Sequence, residues 1–197
     1  EGAGAGEFDR LMEAQGGSNN AFTCDDVTVY QDWFPRGALD LVFELEADRI
    51  HGLSLAPALI ESERGVVYSE RLLRVDDNNA GYLSEQVQTA AFVAHPYRFP
   101  TMGLPEDIRG WTARDLRQFY RTYYAPNNQT IVLVGDVSHE EAFALGRRYL
   151  AQLPRQPDPP AVVTREPEQL GERRVVVRRP AQMALLQDAY KAPAADD

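Results

Sequence analysis

Between Leu59 and Leu73, hydrophobic residues recur at the spacing of one helix face, and two glutamates stand among them. At about 100° per residue, Leu59, Val66, Val67 and Leu73 share a side with Glu63 and Glu70, while Glu61, Arg64, Tyr68 and Arg71 point largely the other way. The two glutamates are seven residues apart, about two helical turns. The periodicity therefore predicts a packed helix with two carboxylates on its inward face. Burying an ionised carboxylate is costly unless it is paired or metal-bound. From the residues alone, pairing with arginines of a neighbouring helix, an incompletely buried face, and a metal or catalytic role all stay open.

Helix and strand patterns alternate around this segment. Phe8, Leu11 and Met12 have helical spacing and stop at Gly16-Gly17; Asn20 to Cys24 and Val27 to Phe34 read as strands joined around Asp25-Asp26. Leu39, Phe43, Ala47 and Ile50 mark an amphipathic helix over Ala38 to His51, and further helices are predicted over Ala58 to about Asp76 and Tyr82 to Phe92. Thr112 with Asp115 and Ser138 with Glu141 are helix-start signals, the first opening a helix whose Leu116, Phe119, Tyr120 and Tyr123 share a face. Thr130 to Val134 reads as a buried strand, and Arg173 to Arg179 and Met183 to Tyr190 as two more. Five prolines from Pro154 to Pro167 mark a linker or a long surface crossing.

Charge and composition narrow the function classes. Thirty acidic and 20 basic residues leave a net charge of −10, the wrong sign for a general phosphate-binding surface, so no nucleic-acid partner is expected. No apolar run approaches the roughly 20 residues that a membrane-spanning helix needs. Cys24 is the only cysteine, which excludes an internal disulfide and any cysteine-rich zinc site. His51, His95 and His139 stand far apart, and none begins an H-x-x-E-H. His95, in the proline- and aromatic-rich loop from His95 to Pro105, is read as structural.

Five strings occur in a telling order: GGSNNAFT at Gly16 to Thr23, ESERGVVYSE at Glu61 to Glu70, HPYRFPTMG at His95 to Gly103, FYRTYYAPNN at Phe119 to Asn128, and VGDV at Val134 to Val137. Together they resemble the pitrilysin/insulinase family of zinc metallopeptidases, in particular bacterial members similar to the β subunit of mitochondrial processing peptidase. The resemblance implies an α+β fold, a mostly antiparallel sheet covered by helices. It also implies a Zn2+ cofactor, held by two histidines of an H-x-x-E-H helix whose glutamate is the general base. By place in the motif, Glu70 matches the distal zinc ligand and Glu63 an accompanying acidic position that tunes or orients the site. Asn20, Ala21, Phe22 and Thr23 match the edge strand that pairs with an extended peptide or unfolded-protein substrate.

The departure from the family pattern is the missing H-x-x-E-H, which the family's order places upstream of Glu1. With one zinc ligand in place of three, the chain by itself is expected to be inactive. The expected organisation is a peptidase unit at 1–152 without its first strands and zinc helix, a Pro-rich linker at 153–171, and the opening strands of the following homologous unit at 172–197. The parent is then a metalloendopeptidase whose partners are a remaining homologous unit or a partner subunit; the alternative is a non-catalytic peptidase-like subunit or peptide-binding scaffold. For location, the resemblance points to the bacterial periplasm ahead of the cytoplasm.

Overall fold

The computed structural model describes residues 6–193. It is α+β, with one antiparallel strand pair among many helices, and it divides into two compact units that exchange segments along the chain. The first comprises Glu1–Ala56 and Thr112–Pro160, the second Pro57–Trp111 and Ala161–Asp197. The small-residue start of the chain and its last four residues lie outside the described residues.

The first unit opens with helix α1 (Glu7–Ala14), which ends where Gly16 adopts φ +74°, a left-handed conformation that glycine takes without steric cost. Strands β1 (Ser18–Thr23) and β2 (Thr28–Trp33) then form a hairpin in which Asn20 faces Gln31 and Phe22 faces Val29. Helix α2 (Leu39–His51) buries Leu39 and Phe43 as its periodicity predicts, and Val42 and Leu45 besides. The latter two close on the fully buried Met12 of α1, with Phe8, Leu11 and Phe34 around them. Helix α6 (Ala113–Tyr123) starts on the predicted Thr112 and Asp115 box: Asp115 N–H donates to Thr112 Oγ1 at 3.2 Å, and Thr112 N–H to Asp115 Oδ2 at 3.1 Å. Its aromatic stripe is split. Tyr120 turns inward and donates to the Arg49 carbonyl at 2.6 Å, whereas Phe119 and Tyr123 are exposed and stack on each other at 4.6 Å.

The second unit is built on α3 (Pro57–Arg71), a wide turn over Leu72–Asp76, α4 (Asn79–Ala91) and α5 (Pro105–Gly110). Asn78 caps α4 by accepting the Gly81 N–H at 3.0 Å, which starts that helix three residues before the predicted Tyr82. Gly81 itself is required, because a Cβ there would lie 2.0 Å from the Arg74 carbonyl oxygen. A buried arginine holds the unit together. Arg71, 2% exposed, gives Nη1 to Glu85 Oε2 (2.8 Å) and the Gly103 carbonyl (2.7 Å), and Nη2 to Glu85 Oε1 (3.0 Å) and Asp76 Oδ1 (3.2 Å). One guanidinium thereby ties α3, the wide turn, α4 and the loop before α5.

This rotates the helix face read from the sequence by about a quarter turn, and Val67, on the predicted face, is half-buried. The residues of α3 that pack are Ile60, Arg64 and Arg71, while Leu59, Val66 and Leu73 are exposed at 39%, 57% and 74%. Hydropathy assigns arginines to the outside; here Arg64 reaches inward to the carbonyls of Ile108 and Trp111, and Arg71 to its four acceptors. Long side chains that satisfy buried carbonyls can occupy a face that a hydropathy wheel reserves for leucine.

Three predicted strands do not pair. Thr130–Val134, Arg173–Arg179 and Met183–Tyr190 run without helix or ladder, and the only sheet among the described residues is the β1–β2 hairpin. Val134, Leu186 and Tyr190 are 94%, 89% and 89% exposed. Strand-like sequence needs a neighbouring strand for its backbone groups, and none lies alongside these segments among the described residues.

A carboxylate anchors the proline-rich crossing instead. Glu166 accepts the successive N–H groups of Val93, Ala94 and His95 at 2.9, 2.8 and 2.9 Å, with Lys191 Nζ at 3.2 Å and Arg173 Nη1 at 3.8 Å. Burial pushes this carboxyl upward, but the three backbone donors and the Lys191 ammonium outweigh it and hold the group down to about 2.

Two outcomes follow from these anchors. Glu85→Ala leaves the Arg71 guanidinium buried with half its acceptors gone, and should cost about 3 kcal/mol of stability in urea unfolding. Glu166→Gln should speed tryptic cleavage after Arg165 at neutral pH. The carboxylate stabilises only while ionised, so wild-type protein should lose its advantage over the variant as pH falls from 4.5 toward about 2.

Candidate functional site

Glu63 and Glu70 lie on the same side of the helix as Leu59, Val66 and Leu73, about a quarter turn round from the Arg64 and Arg71 contacts. Two turns separate them, so they stand about 10 Å apart along the helix axis. Glu63 is exposed and Glu70 is partly so, with 40% of its side chain open. Glu70 Oε1 meets Arg74 Nη2 at 3.0 Å, an exposed pair one turn apart. Such a pair is weak and exchangeable. Glu70 is thus a partly accessible anionic oxygen donor on a helix whose neighbouring face is held by the contacts of Arg64 and Arg71.

Among the described residues no three His, Cys, Asp or Glu side chains come together as a metal site would require. His51 ends α2, and His139 opens α7 (His139–Leu145), whose first turn is capped by Ser138 Oγ accepting the Glu141 N–H at 3.2 Å. His95 is structural, as expected: its Nδ1 accepts the Tyr97 N–H at 3.3 Å and its ring packs edge-on against Tyr97 at 4.3 Å. Glu70, a partly exposed carboxylate, has the donor chemistry of a contributed zinc ligand, and Glu63 stands two turns away. They do not make a complete zinc site, which takes three protein ligands.

Asn20, Ala21, Phe22 and Thr23 form most of β1, in the other unit. One edge of β1 pairs with β2; the other has no partner strand among the described residues. Every residue of β1 is exposed, with Phe22 at 49%. The Ala21 N–H is covered by the side chain of its neighbour, Asn20 Oδ1, at 2.9 Å. An open, exposed strand of this kind can accept an added strand through its backbone. Cys24 is exposed and its Sγ lies 3.5 Å from the Val27 carbonyl.

Sequence reasoning missed the residues that position these groups. Arg64 and Arg71 were assigned outward, and Glu166 was hidden in a proline-rich stretch. A signal existed for the arginines, since Ile60, Arg64, Val67 and Arg71 also repeat at helical spacing. Replacing Arg74 by Ala removes only an exposed ion pair, so unfolding free energy measured in urea should change by less than about 1 kcal/mol.

The family model described as insulinase, peptidase family M16, matches residues 2–104, and that described as the peptidase M16 inactive domain matches residues 110–197. The chain is 34% identical over 194 residues to the zinc protease PqqE of Helicobacter pylori, covering 96% of this chain and 44% of that protein. It is 31% identical over 140 residues to the probable zinc protease PqqL of Escherichia coli, covering 68% and 15% respectively. Among solved structures, a protease from Helicobacter pylori superposes with a TM-score of 0.81 at 34% identity, over 84% of this chain and 40% of that one. The first half of the periplasmic protease PqqL from Escherichia coli gives 0.72 at 26% identity, over 83% and 36%. The chain therefore spans less than half the length of these relatives.

Proposed function

Because the chain belongs to the insulinase family of peptidases, family M16, we propose that its parent protein is a zinc-dependent metalloendopeptidase acting on extended peptides, to which this chain contributes Glu70 as a zinc ligand. The observation that carries the reading is the outer face of α3. There Glu63 and Glu70 share an exposed surface with Leu59, Val66 and Leu73, an apolar patch with carboxylates in it rather than a purely solvated face. Exposed apolar residues in a cluster mark a surface that another segment covers. The 197 residues contain no H-x-x-E-H, so the two histidines and the general base belong to another segment of the parent, which this patch suits.

Bound zinc supplies Lewis acidity, lowering the pKa of its water toward about 7 and polarising the scissile carbonyl. Glu70 provides a negatively charged oxygen, and its place on a clamped helix limits the reorganisation needed to hold that oxygen in position. Glu63, one side of the same helix face, adds a second negative charge that orients or tunes the first. The open edge of β1, from Asn20 to Thr23, offers backbone hydrogen bonds to an extended substrate, with Phe22 beside a substrate side chain. Asn20 releases the Ala21 N–H when a peptide takes its place.

The division into a peptidase unit (1–152), a connector (153–171) and the opening of a following homologous unit (172–197) belongs to the same reading. The connector's lack of helix and strand and its Glu166 anchor support it. A periplasmic location is supported by the naming of the Escherichia coli relative as a periplasmic protease; no described helix is long and apolar enough to cross a membrane. A second reading, a non-catalytic peptidase-like subunit or peptide-binding scaffold, draws on the inactive-domain match over residues 110–197.

The two readings separate on the full-length parent. Glu70→Gln should lower bound zinc at least tenfold by elemental analysis and peptide cleavage at least a hundredfold, with thermal unfolding of the metal-free protein unchanged. A parent that binds no zinc and cleaves no peptide, with Glu70→Gln indistinguishable from it, supports the non-catalytic subunit.

A further inference from the structure

The β1–β2 hairpin is the one strand pair among the described residues, and a lone two-stranded hairpin is marginal in water unless something packs against it. Its seat is on one face. Side chains opposite each other in the ladder share a face, so Tyr30 stands on the same side as Ala21, its direct partner in the register, while Phe22 and its partner Val29 stand on the other. On the first side the Tyr30 hydroxyl meets the Tyr124 hydroxyl at 2.8 Å, and the two rings lie edge to face with centroids 6.3 Å apart. The Arg49 guanidinium of α2 covers the Tyr30 ring at 4.4 Å and the Phe8 ring of α1 at 4.1 Å. Tyr120 completes the seat: its hydroxyl donates to the Arg49 carbonyl at 2.6 Å, and its ring lies 5.4 Å from that of Tyr124. One side chain of β2 thereby meets α2 and the residue just past α6, all within the first unit. Tyr120 and Tyr124 are the inward tyrosines of the FYRTYYAPNN string, which the zinc-ligand reading leaves without a role.

We propose that Tyr30 is a positioning residue for peptide binding: anchored by the Tyr124 hydroxyl and the Arg49 guanidinium, it holds the β1 edge extended and in register before a substrate strand arrives. The proposal rests on the reading of β1 as the peptide-pairing edge. A receiving strand that is not already ordered takes its ordering cost out of the binding energy. Every residue of β1 is exposed, so its order comes from β2 and from whatever holds β2. Asn19 Nδ2, bonded to Asp9 Oδ1 at 2.8 Å, ties only the start of β1, whereas Tyr30 lies opposite Ala21, inside the Asn20 to Thr23 stretch. Phe22 stands on the face away from the anchor, so Tyr30 acts through the backbone of the hairpin and not by touching the peptide.

The full-length parent tests this with Tyr30→Phe, Tyr124→Phe and the double variant, which keep the rings and their stacking and remove only hydroxyls. Hydrogen exchange over residues 18–33 should show opening roughly fivefold greater in either single variant and no greater in the double, because both changes remove the same bond. KM for an extended peptide should rise by a similar factor in all three variants, with kcat and bound zinc unchanged, a split that a general loss of folded enzyme does not give. Exchange at the wild-type level in both single variants overturns the anchor and leaves the edge reading untouched. A fall in kcat with KM unmoved overturns the positioning role. Exchange that rises as stated while KM and kcat keep their wild-type values overturns the reading of β1 as the peptide edge, and with it the part of Tyr30 in binding.

Discussion

Arg71 is the interaction on which the second unit depends. Its guanidinium is buried, and it reaches a carboxylate on α4, a second carboxylate in the wide turn and a backbone carbonyl before α5. Taking an arginine out of water is costly, and four well-placed acceptors offset that cost. The result is rotational: with Arg64 and Arg71 bound inward, α3 cannot turn its glutamates to the same side. Glu63 and Glu70 are presented outward because the arginines are held inward.

A comparable economy appears at Glu166. Several segments of the second unit run extended with no ladder to bind them among the described residues; Glu166 holds them, together with bonds from Arg173 to the Ala90 and Ala91 carbonyls and from Asn79 to the Pro180 carbonyl. Three consecutive backbone N–H groups, a lysine and an arginine converge on Glu166. These donors belong to the loop that contains the HPYRFP string, which explains why that loop holds its shape without relying on apolar burial: Phe99 at its end is 59% exposed. The charge that fixes the connector thus also fixes the loop, and His95 is absorbed into this scaffolding rather than left free for chemistry.

In the first unit the polar contacts are placed differently. The apolar cluster of Met12, Val42 and Leu45 holds α1 to α2, while the hairpin meets α2 where the Arg49 guanidinium lies over the Tyr30 ring at 4.4 Å.

What the sequence determined by itself is local and familial. The helix caps at Thr112 and Ser138, the Gly16 stop, the hairpin over Asn20 to Phe34 and the proline-rich crossing depend on neighbours within a few residues, and they are legible for that reason. The ordered strings from Gly16 to Val137 identify the family, and with it the α+β class and the interest of Glu63 and Glu70, whose motif fixes their spacing. Tertiary structure alone decided which way α3 faces, because arginine stems reach carbonyls that are distant in sequence and a hydropathy wheel cannot see them. It also decided that Thr130–Val134, Arg173–Arg179 and Met183–Tyr190 stay unpaired among the described residues, since a strand is defined by its neighbour rather than its own composition. The meeting of Glu166 with the amides of residues 93–95 is of the same kind. It depends on a contact between segments that share no local pattern, so only the folded chain brings the groups together.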